Sequence, residues 1–148
     1  MADEVENMSA LDEPAEMTDE DLLKRLLGVD TKPPVARFRI KRLDVVVTVK
    51  ALRDDEIEAL QEQCTRTTRD RRGRVSREFD SQKFARRLIV AASVKPNWGA
   101  PELMRKFEAS TPDQVVRRLL LAGEIDMLSD AILDLSGYEE GIEELKNS

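Results

Sequence analysis

Few side chains in this 148-residue chain are equipped for chemistry, and their spacing argues against catalysis. Histidine is absent, which removes the commonest general base, metal ligand and physiological pH switch. Cys64 is the single cysteine. One thiol makes no intrachain disulfide, thiolate zinc site or iron–sulfur ligand set. With no histidine to activate it, Cys64 reads as a small core residue rather than a nucleophile. The carboxylate pairs Asp54/Asp55 and Glu139/Glu140 are adjacent in sequence, so on a helix they face different directions. Helix-start electrostatics already explains Asp54 and Asp55. The acidic run Asp19-Glu20-Asp21 has no glycine where a calcium loop requires one. There is no Gly-x-x-x-x-Gly-Lys-Ser/Thr loop, no Gly-x-Gly-x-x-Gly turn and no Gly-x-Ser-x-Gly elbow. The reading is therefore no catalytic residue, no cofactor and no metal: a binding or assembly protein, not an enzyme.

What the sequence offers for binding is charge and exposed leucine. Residues 1–30 carry ten acidic side chains against Lys24 and Arg25. Residues 65–77 carry six arginines and one aspartate, with Gly73 near the middle and no apolar periodicity. That stretch predicts a mobile basic loop at 65–78. Arg69, Arg71, Arg72 and Arg74 would form an electrostatic arm for an acidic partner or for nucleic acid. The plainer alternative is a solvated loop that balances the acidic N-terminus of the same or a neighbouring chain. No aromatic residue lies within the basic run to stack on a base, which disfavours nucleic acid. The other candidate partner-binding residues are Leu22, Leu23, Leu26 and Leu27 on a short helix, and Trp98 in a turn. Trp98 itself reads as a packing anchor on the helix bundle rather than a ligand-stacking residue, with its turn kept as a candidate surface.

These groups must be positioned by one small domain. Hydrophobic residues make up 41% and charged residues 36%, and only six residues are aromatic. The net charge of −6 argues against a general nucleic-acid coat. No apolar run approaches the roughly 20 residues of a membrane helix, and the acidic N-terminus does not resemble a signal peptide. The expectation is a cytoplasmic protein with no membrane partner.

Four segments are expected: a disordered acidic N-terminus at 1–17, a short helix and Pro-rich linker at 18–34, a globular domain at 35–137, and a polar tail at 138–148. Thr18 caps the short helix and Gly28 ends it. Phe38 and Ile40 alternate with Arg37, Arg39 and Lys41, and the β-branched run at 45–49 follows a tight connection. This predicts an antiparallel hairpin whose apolar face helices or another subunit must cover. Helices follow from Asp54, with Ile57, Leu60 and Cys64 on one face. The next starts at Asp80 and runs to about 94, with Phe84, Leu88, Ile89, Ala91 and Ala92 inward. Others start at Pro101 and at the Ser110-Thr-Pro cap. After a break at 122–124, a last helix holds Ile125, Leu128, Ile132 and Leu135. The fold class is α+β, mostly α-helical: an N-terminal β-hairpin on a bundle of about five helices.

Several stretches, in order, resemble one family. They are Arg86-Arg-Leu-Ile-Val-Ala-Ala-Ser-Val-Lys-Pro-Asn-Trp98, Pro101-Glu-Leu103, Leu119-Leu-Leu-Ala-Gly-Glu124 and Ile132-Leu-Asp-Leu-Ser-Gly137. Their succession is similar to the XkdN-like tail assembly chaperones of tailed bacteriophages, over about 35–137. The hairpin Phe38-Arg-Ile-Lys-Arg-Leu43 and the basic stretch also sit where that family has such features. Trp98 and the dense arginines depart from the usual pattern. The resemblance implies a non-structural protein of the host cytoplasm. It would bind and solubilise the tape measure protein, be displaced as the tail tube polymerises, and contact the tail tube protein. Self-association is expected from the charge split instead, acidic at 1–30 and basic at 66–87. Two alternatives stay open: a nucleic-acid-associated accessory or regulatory protein acting through the arginines, and a structural tail component.

Overall fold

The computed structural model describes residues 16–145. The expected disordered stretch 1–17 and the end of the expected tail therefore fall largely outside the described residues. The chain divides into two units, one spanning Pro33–Ile142 and the other comprising the residues on either side of it.

In the flanking unit, helix α1 runs over Asp19–Leu27. The Thr18 hydroxyl accepts a hydrogen bond from the Asp21 amide at 3.1 Å. Asp19, Glu20 and Asp21 occupy the first turn, where the helix dipole favours negative charge. The Gly28 amide closes the helix on the carbonyls of Lys24 and Arg25. All four leucines of α1 are exposed, Leu27 most of all at 87%.

The larger unit opens with the expected hairpin, β1 (Val35–Ile40) and β2 (Val45–Lys50). Its antiparallel register runs from Val35 opposite Lys50 to Ile40 opposite Val45. Asp44 takes φ +52° in the connecting turn, a left-handed conformation that aspartate tolerates. Its carboxylate accepts from the Arg39 Nε at 3.0 Å. Strand alternation turns Phe38 and Ile40 inward and Arg37 and Arg39 outward. Helix α2 (Asp54–Gln63) follows. Its start is fixed by the Arg53 amide donating to Glu56 Oε1 at 3.2 Å.

The stretch expected to be a mobile basic loop is instead a second antiparallel hairpin, β3 (Thr65–Arg69) and β4 (Val75–Phe79). Its turn is built by Asp70, whose Oδ1 accepts from the amides of Arg72 and Arg74 at 2.9 and 2.8 Å. Gly73 supplies the positive φ of +78°. The Thr68 and Ser76 hydroxyls bond across the strands at 2.6 Å. A strand pair with both faces in solvent carries no apolar alternation, so period-2 patterning could not reveal it.

Helix α3 (Ser81–Ala92) begins where expected, with Asp80 accepting from the Lys83 amide at 3.0 Å. It stops at Ala92, short of the expected end, because Ser93–Lys95 form a short strand, β5. This strand pairs with β2, making a three-stranded sheet in the order β1–β2–β5. Leu88, Ile89 and Ala92 are buried, while Ala91, expected inward, is exposed. The remaining helices are α4 (Pro101–Lys106), α5 (Pro112–Leu119) and α6 (Ala122–Leu135). The expected break at 122–124 lies instead at Leu120 and Leu121, whose extended backbone separates α5 from α6. Gly137, at φ +96°, follows α6.

The core forms where α3 packs on α5, α6 and the inner face of β2. Val47, Val49, Leu88, Ile89, Val115, Val116 and Ile132 are fully buried. The molecule is α+β and mostly helical, as its patterning predicts.

Candidate functional site

The arginines and leucines singled out from sequence are accessible. Arg69 ends β3, Arg71 and Arg72 lie in its turn, and Arg74 follows Gly73; all four are exposed. Leu22, Leu23, Leu26 and Leu27 form the exposed apolar side of α1. Trp98 is different. It is 3% exposed, and its indole N–H donates to Ser93 Oγ at 2.8 Å. Ser93 Oγ in turn donates to the Ile89 carbonyl at 2.6 Å. Trp98 therefore anchors the turn after β5 to α3 and offers no ring face to a partner in this structure.

Cys64 caps α2 and is 3% exposed. Burial pushes its thiol above the ordinary range, with nearby Arg87 and Lys83 pulling the other way. A thiol held protonated is a poor nucleophile. Among the described residues, no group of acidic or cysteine side chains is arranged to hold a metal ion. A polar hollow of about 510 Å³ lies at the foot of the second hairpin, lined by Gln63, Arg66, Glu78 and Asp80 among others. Its mixed charges converge on no common point.

The surface that sequence reasoning missed is an open apolar cleft of about 590 Å³ between β1 and α6. Phe38 and Ile40 form one wall, Leu121, Met127, Leu128 and Ala131 the other, with Arg39, Lys41, Arg42 and Glu124 at the rim. Its exposed apolar groups are large: Met127 is 74% exposed and Leu121 57%. Both fall outside the buried stripe of α6, where Leu128 and Ile132 face the core. A large apolar residue on the solvent side of an amphipathic helix was the available signal. Read singly, it is unremarkable.

A clasp ties the two sides of the cleft together. Arg42, in the β1–β2 turn, donates to both carboxylate oxygens of Glu124, at 2.8 and 3.1 Å. It also donates to the Leu119 carbonyl at 2.9 Å. Glu124 Oε1 accepts from the Leu121 amide at 2.7 Å, closing the start of α6. The bidentate geometry fixes direction as well as charge. The Arg42 hydrogen bonds hold the Glu124 carboxyl below its usual range, helped by the Leu121 amide, and Glu124 raises Arg42 in return. This pairing joins the hairpin to α6 across residues 82 apart in sequence.

An apolar trough with adaptable methionine and leucine walls and a polar rim suits an amphipathic helix.

Known proteins resemble this chain in sequence and in fold. The protein YqbN of Bacillus subtilis strain 168 is 31% identical over 119 residues, covering 78% of this chain and 79% of YqbN. The crystal structure of YqbN has the same fold, with a TM-score of 0.58 at 20% identity. That match covers 84% of this chain and all of the solved one. A sequence model for the phage XkdN-like tail assembly chaperone proteins matches residues 20–147. The chain belongs to the phage XkdN-like tail assembly chaperone family.

Proposed function

We propose that this chain binds and solubilises the tape measure protein during tail assembly and is displaced as the tail tube polymerises. The observation that carries the reading is the open apolar cleft between β1 and α6, in a member of a tail assembly chaperone family. A tape measure protein is a very long helical chain with apolar stripes. Left bare, such stripes associate with one another. A small module that covers a stripe by helix-in-groove contact prevents this. It must also let go, so each contact is weak and many copies together supply the hold. The role is non-enzymatic and is carried out in the host cytoplasm.

Further surfaces contribute to binding in this proposal. The α1 leucines supply a second apolar surface. Arg69, Arg71, Arg72 and Arg74 meet acidic segments, including residues 1–30 of another copy, and so promote self-association. The tail tube protein is the natural competitor for release. The test is co-expression with the tape measure protein, scored by its soluble fraction. A rise on adding this chain supports the proposal, and an unchanged insoluble fraction contradicts it.

A second reading rests on the arginine hairpin, whose basic side chains stand in solvent. A nucleic-acid-associated protein would show affinity falling steeply with salt and vanishing when these arginines are removed. A structural tail component would be found in purified virions, where a chaperone is absent.

A further inference from the structure

Resting on the cleft as the client site, we infer that it selects one class of helix: an amphipathic helix whose apolar stripe is flanked by carboxylates, which meet Lys41 and Arg39 at the β1 rim. The walls supply no such choice, because apolar contact with Phe38, Leu121 and Met127 accepts any apolar stripe of suitable width.

Selection comes from the rim. Arg39, Lys41 and Arg42 are its basic members, and Glu124 its single acid. Glu124 is spent within the fold: its two oxygens take the Arg42 guanidinium and the Leu121 amide. Arg42 is spent on the same pair. Arg39 shares its charge with Asp44 at 2.7 Å. Lys41 is exposed and has no ion-pair partner among the described residues. On the hairpin side of the apolar floor the unneutralised charge is therefore positive. By their i, i+3, i+7 spacing the exposed Asp130 and Asp134 share the Met127 face of α6, so negative charge flanks the side of the trough opposite Lys41. A helix lying in the trough thus meets a positive edge at β1, and carboxylates along that flank are its complement.

The experiment uses the full chain and two labelled synthetic helical peptides with the same apolar stripe, one flanked by glutamate and one by glutamine. Binding is read by fluorescence anisotropy at low salt, against wild type, Lys41→Glu and Met127→Glu. The glutamate peptide binds wild type about fivefold tighter than it binds Lys41→Glu, the scale of one exposed ion pair. The glutamine peptide does not distinguish the two. Met127→Glu abolishes binding of both. An equal response of the two peptides to Lys41→Glu overturns charge selection while leaving the cleft as the client site, provided Met127→Glu still abolishes binding. Failure of both peptides to bind wild type overturns the inference, whereas the proposed function is judged separately by the co-expression result. Sedimentation of the chain alone supplies the last arm. If wild type self-associates and Met127→Glu does not, a second copy fills the cleft and the inference falls.

Discussion

Replacing Met127 or Leu121 by alanine separates binding from folding. Met127 is 74% exposed and Leu121 57%, so neither contributes much to the folded chain. Fully burying a side chain of this size stabilises by about 1.5–3 kcal/mol. Covering the exposed fractions of these two with a client helix therefore contributes about 1–2 kcal/mol each, by area proportion. Each alanine variant should weaken binding of a helical tape measure fragment by roughly tenfold, since about 1.4 kcal/mol is a factor of ten. Stability should fall by no more than about 1 kcal/mol, since only the smaller part of each side chain is buried in the folded chain. Titration calorimetry gives the first quantity and urea unfolding the second. Unchanged affinity in both variants would refute the reasoning. So would a parallel loss of affinity and stability, which would place these side chains in the core.

Other substitutions probe the parts that hold the cleft in place. Ile132→Ala, at a fully buried position where α6 meets the core, should cost about 2–5 kcal/mol in urea unfolding. Glu124 tests the clasp through pH. Its carboxyl is lowered from 4.5 in the folded state, so its stabilisation is complete above that value and is lost as pH falls through the lowered one. Glu124→Gln should therefore show a shallower loss of stability than wild type across that acid window, and an identical loss would contradict the clasp. Thiol labelling of Cys64 should be slow in the folded chain and fast in urea, because the thiol is buried and its ionisation suppressed. Reversing Arg69, Arg71, Arg72 and Arg74 to glutamate should leave the unfolding midpoint unchanged and reduce self-association in low-salt sedimentation.

The elements that bury an apolar face were legible in the sequence. The β1–β2 hairpin follows from the alternation at Phe38 and Ile40, and α3 and α6 from their stripes ending in Ala92 and Leu135. The second hairpin was not legible, because Thr67, Arg69, Ser76 and Arg77 carry no inward face to betray the strand period. Strand β5 was hidden because three residues are too few to show a strand period, and only pairing with β2 makes Ser93–Lys95 a strand. The cleft was illegible for a deeper reason. Its two walls come from β1 and α6, and no local pattern records that Phe38 and Met127 meet across the fold or that Arg42 pairs with Glu124. The sequence leaves Trp98 both as a packing anchor and as a candidate contact, and its burial with the indole N–H on Ser93 Oγ makes it the anchor.

The most direct measurement is the soluble yield of the tape measure protein expressed alone, with the wild-type chain, and with the Met127→Glu chain. Shielding through the cleft requires high yield with wild type and yield near the unaccompanied level with Met127→Glu, although both chaperones are folded. Equal yields with the two chains would remove the cleft from the mechanism, and no gain from either would remove the mechanism itself.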